Sequence, residues 1–206
     1  MQQFIDREYA TKVDPDIYMP RNWYLPHFGL RNPNKPNKIR LVFDAAAKTR
    51  GVSSNNQWDA RPDLLESLPG VSIRFRQYRV AFKGAILNMF LKVKIREKNR
   101  DAQRFLWRGR DRHRKPEELE MDVLLFEAPP PPCSAIYIKN KNADTFKIKG
   151  SKAHEVIKRN SYVDDQLGSC KTVGEAKKSV SEIAKKKMQW AAFKCTLGPA
   201  KSRLIS

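Results

Sequence analysis

Hydrophobic and polar residues alternate over residues 38–44, with Ile39, Leu41 and Phe43 on one face of an extended chain. An aromatic stretch, residues 23–28, precedes this segment. The Asn- and Pro-rich residues between the two stretches favour a turn. The pattern therefore predicts a β-hairpin near the N-terminus.

Further elements follow from the same kind of pattern. We expect a short helix over 62–68, a strand over 78–84, a helical turn at 89–90, paired strands over 103–108 and 118–126, polyproline II over 129–132, a helix over 133–146, a strand at 162–163 and a closing strand over 193–196.

The last helix has the clearest start signal. Thr172 and Glu175 have the spacing of a capping box. An apolar stripe follows, with a Lys-rich face opposite; it comprises Val173, Ala176, Val180, Ile183, Ala184 and Met188.

The order of these elements indicates an α+β fold. The last two-thirds of the chain gives strand, helix, hairpin, helix, strand, with a basic insertion after the first strand. This order matches a split βαβ sheet of the ferredoxin-like kind.

Composition adds one strong signal, the formal net charge of +19 on 206 residues. Such a charge favours a polyanionic partner, most often nucleic acid. The 40% hydrophobic content is enough for a core of one ordinary domain. The three cysteines lack metal-ligand spacing, and no signal sequence or membrane span is evident. We therefore expect an intracellular, cytoplasmic protein with reduced thiols.

Basic residues concentrate in residues 72–115, which hold 15 Lys and Arg against three acids. Aromatic residues are interleaved with them, as in a groove that binds nucleic acid. The candidate nucleic-acid contacts are Arg74, Arg76, Lys92, Lys94, Arg104 and Arg108.

Two adjacent carboxylates, Asp164 and Asp165, follow the strand-forming Tyr162 and Val163. A turn in a central hairpin can present carboxylates beside the end of a neighbouring strand, where they would hold two Mg²⁺ ions for phosphoryl transfer. An isolated Asp-Asp pair is more often an ordinary surface turn. The basic chain and the predicted sheet order favour the metal-binding interpretation.

The stretch 162–165 resembles the Tyr-X-Asp-Asp box of reverse transcriptases. The resemblance extends to the polymerase segment of BEL/Pao-type retrotransposon polyproteins. It covers about residues 22–195 and is carried by residues 23–28, 38–48, 62–65, 68–70, 74–77, 101–109 and 137–143. It implies RNA-directed DNA polymerisation by two-metal nucleotidyl transfer, with catalytic and metal-binding roles for Asp164 and Asp165. It also implies an RNA/DNA template-primer, two Mg²⁺ ions, other polyprotein segments as partners, and a virus-like particle as the location.

The resemblance also implies a right-hand polymerase fold. Its expected parts are an irregular segment over 1–21, fingers over 22–78, a first palm strand and helical turn over 79–97, a fingers/palm insertion over 98–132 and the palm over 133–206. The chain ends at Ser206, before the thumb and RNase H segments of the family, so we expect the thumb to be missing. Implied nucleotide-binding residues are Phe90, which matches a residue that blocks a ribose hydroxyl, Arg40 and Phe126. A core aromatic remains an equal alternative for Phe90, and a solvated strand face remains the alternative for Arg40.

Several positions depart from the family pattern. Ala85 stands where the family has its other metal-binding Asp, and a methyl group cannot ligate a cation. Residues 126–132 replace a small-residue loop with Glu127 and prolines, and Gln166 and Gly168 replace a hydrophobic residue and an acid. These changes predict a degenerate domain without polymerase activity. A nucleic-acid-binding module and a relic without function remain the alternatives.

Overall fold

The fold is given by a computed structural model that describes residues 1–14, 22–57, 62–109, 111, 113–125, 131–145, 152–185 and 193–199. The regular elements, in chain order, are α1 (Gln2–Asp6), β1 (Ala10–Lys12), β2 (His27–Asn32), β3 (Lys35–Phe43), β4 (Lys48–Thr49), β5 (Val52–Ser53), α2 (Leu68–Phe75), β6 (Val80–Ile86), β7 (Arg104–Trp107), β8 (Glu117–Met121), α3 (Pro131–Thr145), α4 (Lys152–Arg159), β9 (Ser161–Tyr162), β10 (Asp165–Cys170), α5 (Val173–Lys185) and β11 (Phe193–Pro199). Short 3₁₀ helices span Ser54–Gln57, Phe90–Lys92 and Glu97–Gln103.

The chain forms two compact units, each made of two separate segments. Residues 1–61 and 90–131 form the first unit, and residues 62–89 and 132–206 form the second. These boundaries differ from the predicted segments, because residues 62–78 belong with the second unit and residues 90–97 with the first.

The first unit is built on the antiparallel sheet β1-β8-β7 and the hairpin β2-β3. Phe105, Leu119 and Met121 are fully buried in its core. The Phe43 ring meets Phe105 edge to face, with the centroids 5.3 Å apart. This aromatic packing anchors the base of the β2-β3 hairpin in the core. Nearer its outer end, Ile39 is exposed.

The second unit contains a four-stranded antiparallel sheet in the order β11-β6-β10-β9. With α3 and α5 between the strands, this is the sheet order of a ferredoxin-like split βαβ fold. A buried cluster joins the sheet to α4 and α5, and it includes Phe82, Val156, Ile157, Ala176 and Ile183. The predicted α+β class and the order of this sheet are confirmed.

Several other predicted elements are also observed. The N-terminal hairpin and the pairing of β7 with β8 are present, and α3 and β11 cover the predicted helix and closing strand. The capping box of α5 is formed in part: the bond to Thr172 is as expected, whereas the bond of the Glu175 side chain is shifted by one residue. Thr172 Oγ1 accepts a hydrogen bond from the Glu175 N–H at 3.2 Å, and Glu175 Oε2 accepts one from the Lys171 N–H at 3.1 Å. Within the predicted stripe, Val173 is exposed and Met188 lies outside the described residues.

The predicted helix over 62–68 is wrong, because α2 begins at Leu68 instead. Ser67 caps it by accepting a hydrogen bond from the Gly70 N–H at 3.4 Å. Pro69 lies in the first turn, where its missing N–H costs nothing. Pro69 and Gly70, which directly follow the predicted helix, therefore lie in the first turn of the observed one.

Three further expectations need correction. The N-terminal segment is not wholly irregular, since it contains α1 and β1. The helix α4 had not been predicted. Pro131 and Pro132 belong to the first turn of α3 rather than to polyproline II, and residues 126–130 lie outside the described part of the chain.

In the described part of the chain, every helix is too short or too polar to span a bilayer.

Candidate functional site

The acidic pair lies at the tip of the hairpin formed by β9 and β10. Tyr162 and Asp165 pair across the strands, so Val163 and Asp164 are the two central residues of the turn. Val163 has a φ of 54°, a left-handed conformation that is rare for a β-branched residue. A positive φ at the first central position is typical of the tight hairpin turns in which glycine is usual. The turn thus holds the acidic pair at the cost of local backbone strain.

Strand β6 runs beside this hairpin, and its end meets the acidic pair. Ala85 is the direct cross-strand partner of Asp165. The Ile86 N–H donates a hydrogen bond to the Asp164 carbonyl oxygen at 3.0 Å. Side chains of directly opposed residues lie on the same face of a sheet, about 5 Å apart. The expected proximity of residue 85 to the acidic pair is therefore observed, with a methyl group at that position.

A lysine that sequence reasoning missed completes the site. The Lys83 ammonium group lies 2.9 Å from Asp165 Oδ2, and its side chain is about half exposed. Lys83 is two residues before Ala85 and therefore lies on the same face of β6. The alternation of strand residues could have placed it there, but not its bond to Asp165.

These residues do not fit a site for two divalent ions. Such a site needs several acidic oxygens around the ions. Here Asp165 lies opposite the methyl group of Ala85 and is paired with the ammonium group of Lys83. Among the residues that the structure describes, no group of three or more His, Cys, Asp or Glu side chains is placed to hold a metal.

A buried lysine lies directly behind the hairpin. Lys139 on α3 is 3% exposed, and its ammonium group donates a hydrogen bond to Ser161 Oγ, next to Tyr162. Ser161 Oγ in turn donates to the Ile157 carbonyl oxygen at 2.6 Å. Burial lowers the pKa of Lys139 to about 8, an effect that the negative charge of Glu66 opposes. Among the described residues, the Ser161 hydroxyl is the group that accepts a hydrogen bond from the buried Lys139 ammonium group.

The two unusual residues after the acidic pair have different structural roles. Gly168 is the cross-strand partner of Phe82, and a Cβ at position 168 would overlap with the Phe82 ring. Gly168 is therefore needed for packing. Gln166 is fully buried, and neither its amide oxygen nor its amide nitrogen has a hydrogen-bond partner among the described residues. An unpaired amide in a core destabilises the fold.

The predicted nucleotide-binding residues do not come together within the second unit. Phe90 and Arg40 belong to the first unit. Phe90 is 7% exposed, which is the burial of a core aromatic, and Arg40 is exposed on β3. Phe126 lies outside the described residues. Their roles in nucleotide binding remain predictions.

The predicted nucleic-acid contacts differ in exposure. Arg76 in the second unit and Lys92, Lys94 and Arg108 in the first are exposed, as a phosphate contact requires. Arg74 is bound within the second unit, with its Nε donating to Asn160 Oδ1 at 2.6 Å and its Nη2 donating to the Arg159 carbonyl oxygen.

Arg104 requires a correction, because it is buried rather than at the surface. It is 4% exposed, and its Nε donates to Asp101 Oδ1 at 2.9 Å. Its Nη2 donates to the same oxygen. Burial in this ion pair leaves the guanidinium group inaccessible to a phosphate. The short spacing between residues 101 and 104 was the available sequence signal for the pair.

Comparison with known proteins gives matches of structure alone. No protein-family model matches the chain, and no curated protein matches it. The crystal structure of the prototype foamy virus protease-reverse transcriptase CSH mutant matches with a TM-score of 0.66 at 13% identity, covering 92% of this chain and 21% of that one. The foamy viral protease-reverse transcriptase dRH in complex with double-stranded DNA matches with a TM-score of 0.66 at 14% identity, covering 91% and 28%. The chain thus spans about a quarter of the length of these structures, and it has a reverse-transcriptase-like fold.

Proposed function

We propose that this chain is a reverse-transcriptase-derived domain of a BEL/Pao-type retrotransposon polyprotein that binds nucleic acid without polymerising it. In this proposal the first unit corresponds to fingers and the second to the palm. The ferredoxin-like order of the sheet and the acidic pair at the hairpin of β9 and β10 support the assignment of the palm. The chain would act in the cytoplasm or in a virus-like particle, beside other segments of the polyprotein.

The proposal that the chain does not polymerise nucleic acid rests on the pairing of Ala85 with Asp165. Two bound Mg²⁺ ions would stabilise the charge that develops as a phosphodiester bond forms. Asp164 and Asp165 alone do not provide enough oxygens to hold two ions, since position 85 provides none. Losing a metal ligand would remove several kcal/mol of transition-state stabilisation, and each ~1.4 kcal/mol is tenfold in rate.

The charge of the chain supports nucleic-acid binding. The formal net charge is +19, and Arg76, Lys92 and Lys94 are exposed. Exposed cations of this kind bind phosphates with release of counterions, which is independent of base sequence. One of the structurally similar reverse transcriptases was solved in complex with double-stranded DNA. The same class of ligand is proposed for this chain.

A primer-extension assay tests the absence of catalysis. We expect no incorporation on RNA or DNA templates with Mg²⁺ or Mn²⁺, because Ala85 cannot ligate a cation. An active reverse transcriptase on the same template-primer serves as the positive control. Template-dependent incorporation that disappears in Asp164→Asn would contradict the proposal.

Fluorescence anisotropy tests nucleic-acid binding. Log affinity should fall with log salt by roughly 0.9 per contacted phosphate on duplex DNA and roughly 0.7 on single strands. Reversal to Glu of Arg76, Lys92 and Lys94 should weaken binding equally for all base sequences. Reversal of Lys171, Lys177 and Lys178, which are also exposed, is the control, since it lowers the net charge by the same amount. A salt-independent affinity, or equal losses in both triple variants, would rule out specific phosphate contacts at the first set.

A further inference from the structure

Lys83 on β6 lies beside the acidic pair. The cross-strand partner of Lys83 is Leu167, and that of Ala85 is Asp165. Lys83 therefore reaches Asp165 diagonally across the two strands, on the face that carries Ala85. Its ammonium nitrogen lies 2.9 Å from Asp165 Oδ2. The Lys83 ammonium group thus carries a positive charge on the face of the sheet where Ala85 and Asp165 lie opposite each other.

This ion pair has little value for stability. The side chains of Lys83 and Asp165 are 55% and 39% exposed, and an exposed pair contributes little because water screens it. The pair matters for ion binding instead. A divalent ion at Asp165 would have to displace the ammonium group or bind beside it, and like charges at a few ångströms repel.

We propose that Lys83 takes the place of a divalent ion at Asp165, so that the acidic hairpin carries its own cation and binds nucleic acid without metal. This inference rests on the proposed function, in which the hairpin descends from a metal site. Asp164, Asp165 and Lys83 together carry a smaller negative charge than the two carboxylates alone. A phosphate backbone therefore meets less repulsion at the hairpin without Mg²⁺ than it would meet at an unpaired acidic cluster.

Restoring a metal site then requires two changes. In Ala85→Asp, the new carboxylate would lie opposite Asp165 and within reach of the same ammonium group. Lys83 would neutralise part of the added charge. Removing Lys83 as well would leave three carboxylates without a competing cation.

Mn²⁺ binding measured by electron paramagnetic resonance of the free ion tests the inference without nucleic acid. The variants are Lys83→Ala, Ala85→Asp and the two changes together. Lys177→Ala, an exposed lysine on α5, is the control with the same change in net charge. Lys83→Gln keeps most of the side chain and loses its charge, which separates the charge from any effect of truncation on folding.

We expect Lys83→Ala and Lys83→Gln to tighten Mn²⁺ binding by roughly tenfold, since removing a unit charge about 5 Å from a divalent ion has an effect of that order even with water-like screening. The double variant should bind more tightly than the product of the two single effects predicts. The inference is wrong if both Lys83 variants bind Mn²⁺ like Lys177→Ala, or if Ala85→Asp alone binds as tightly as the double variant.

A second measurement separates this inference from the proposed function. Anisotropy of labelled duplex DNA, with EDTA or with Mg²⁺ at matched ionic strength, should give an affinity with EDTA at least as high as with Mg²⁺, because Mg²⁺ itself competes for the DNA phosphates. A lower affinity with EDTA would contradict the proposal that Lys83 takes the place of a divalent ion at Asp165. Absence of DNA binding under both conditions would contradict the proposed function, whereas the Mn²⁺ experiment would still decide the role of Lys83 at Asp165.

Discussion

Lys139 should make the stability of the fold depend on pH in an unusual direction. Its pKa is about 8 in the folded chain, because burial disfavours the charged form, and 10.5 is its ordinary value. Between these two pH values the unfolded chain binds more protons than the folded chain. The free energy of unfolding should therefore rise as the pH increases from about 8 to about 10.5. Below this window both states are protonated, and the penalty of the buried charge is constant.

The size of the effect follows from the difference between the two pKa values. At roughly 1.4 kcal/mol for each pKa unit, the buried charge costs about 3 kcal/mol at neutral pH. Lys139→Met keeps an unbranched side chain and removes the charge. Ser161 retains its hydrogen bond to the Ile157 carbonyl oxygen in this variant. We therefore expect Lys139→Met to be more stable than the natural chain at pH 7, by up to about 3 kcal/mol, with the gain shrinking towards pH 10.5.

Urea denaturation at a series of pH values, with a reductant present, measures the effect. The informative quantity is the difference between the natural chain and Lys139→Met, because the titration of other groups then cancels. Lys141→Met, an exposed position on the same helix, is the matched control and should show a nearly constant difference. Parallel stability curves for the natural chain and Lys139→Met between pH 8 and pH 10 would refute the reasoning.

Three further predictions concern packing and buried polar groups, each measured by chemical denaturation. Gly168→Ala should destabilise the fold by about 1–3 kcal/mol through overlap with the Phe82 ring, and Phe82→Leu should relieve part of that loss; no loss in Gly168→Ala would contradict the packing role. Gln166→Leu should stabilise by about 1–3 kcal/mol, because both amide atoms lack described partners; a destabilised variant would point to a missed partner. Asp101→Asn should cost about 1–3 kcal/mol, because the buried Arg104 charge then keeps Glu118, at 3.5 Å, as its remaining acidic partner, and a change below about 0.5 kcal/mol would show that the bond to Asp101 is not important.

The sheet that carries the acidic pair was predictable because its signals are local and ordered. The alternation of strand residues and the capping box at Thr172 indicate the order of strands and helices along the chain. Few topologies are compatible with that order. The pairing of the strand that contains Ala85 with the acidic hairpin followed from this topology. Helix α2 was misplaced because Pro69 and Gly70 are compatible with both the start and the end of a helix, and the Ser67 cap decides between them.

The side-chain contacts of the site could not be predicted in the same way. The bond between Lys83 and Asp165 depends on a diagonal approach across two strands that are about 80 residues apart in sequence. The burial of Arg104 could not be predicted because most charged residues near it in the sequence are basic, which suggested an exposed basic surface. Its partner Asp101 is nevertheless only three residues away. Such contacts are set by tertiary packing rather than by local propensity.

The connectivity of the two units has a consequence for how the chain is made. The chain passes from one unit to the other three times, so the second unit is complete only after the whole of the first unit has been made. Strand β6 leaves the ribosome long before β10 and β11, the strands that flank it in the sheet. Until then its apolar side chains, including Phe82 and Ile86, have no strand partner, and pairing between strands so distant in sequence is slow and prone to aggregation. A single truncation that keeps one unit whole therefore also keeps a segment of the other unit. A fragment that begins after residue 89 lacks β6, an inner strand of the sheet that carries the acidic pair.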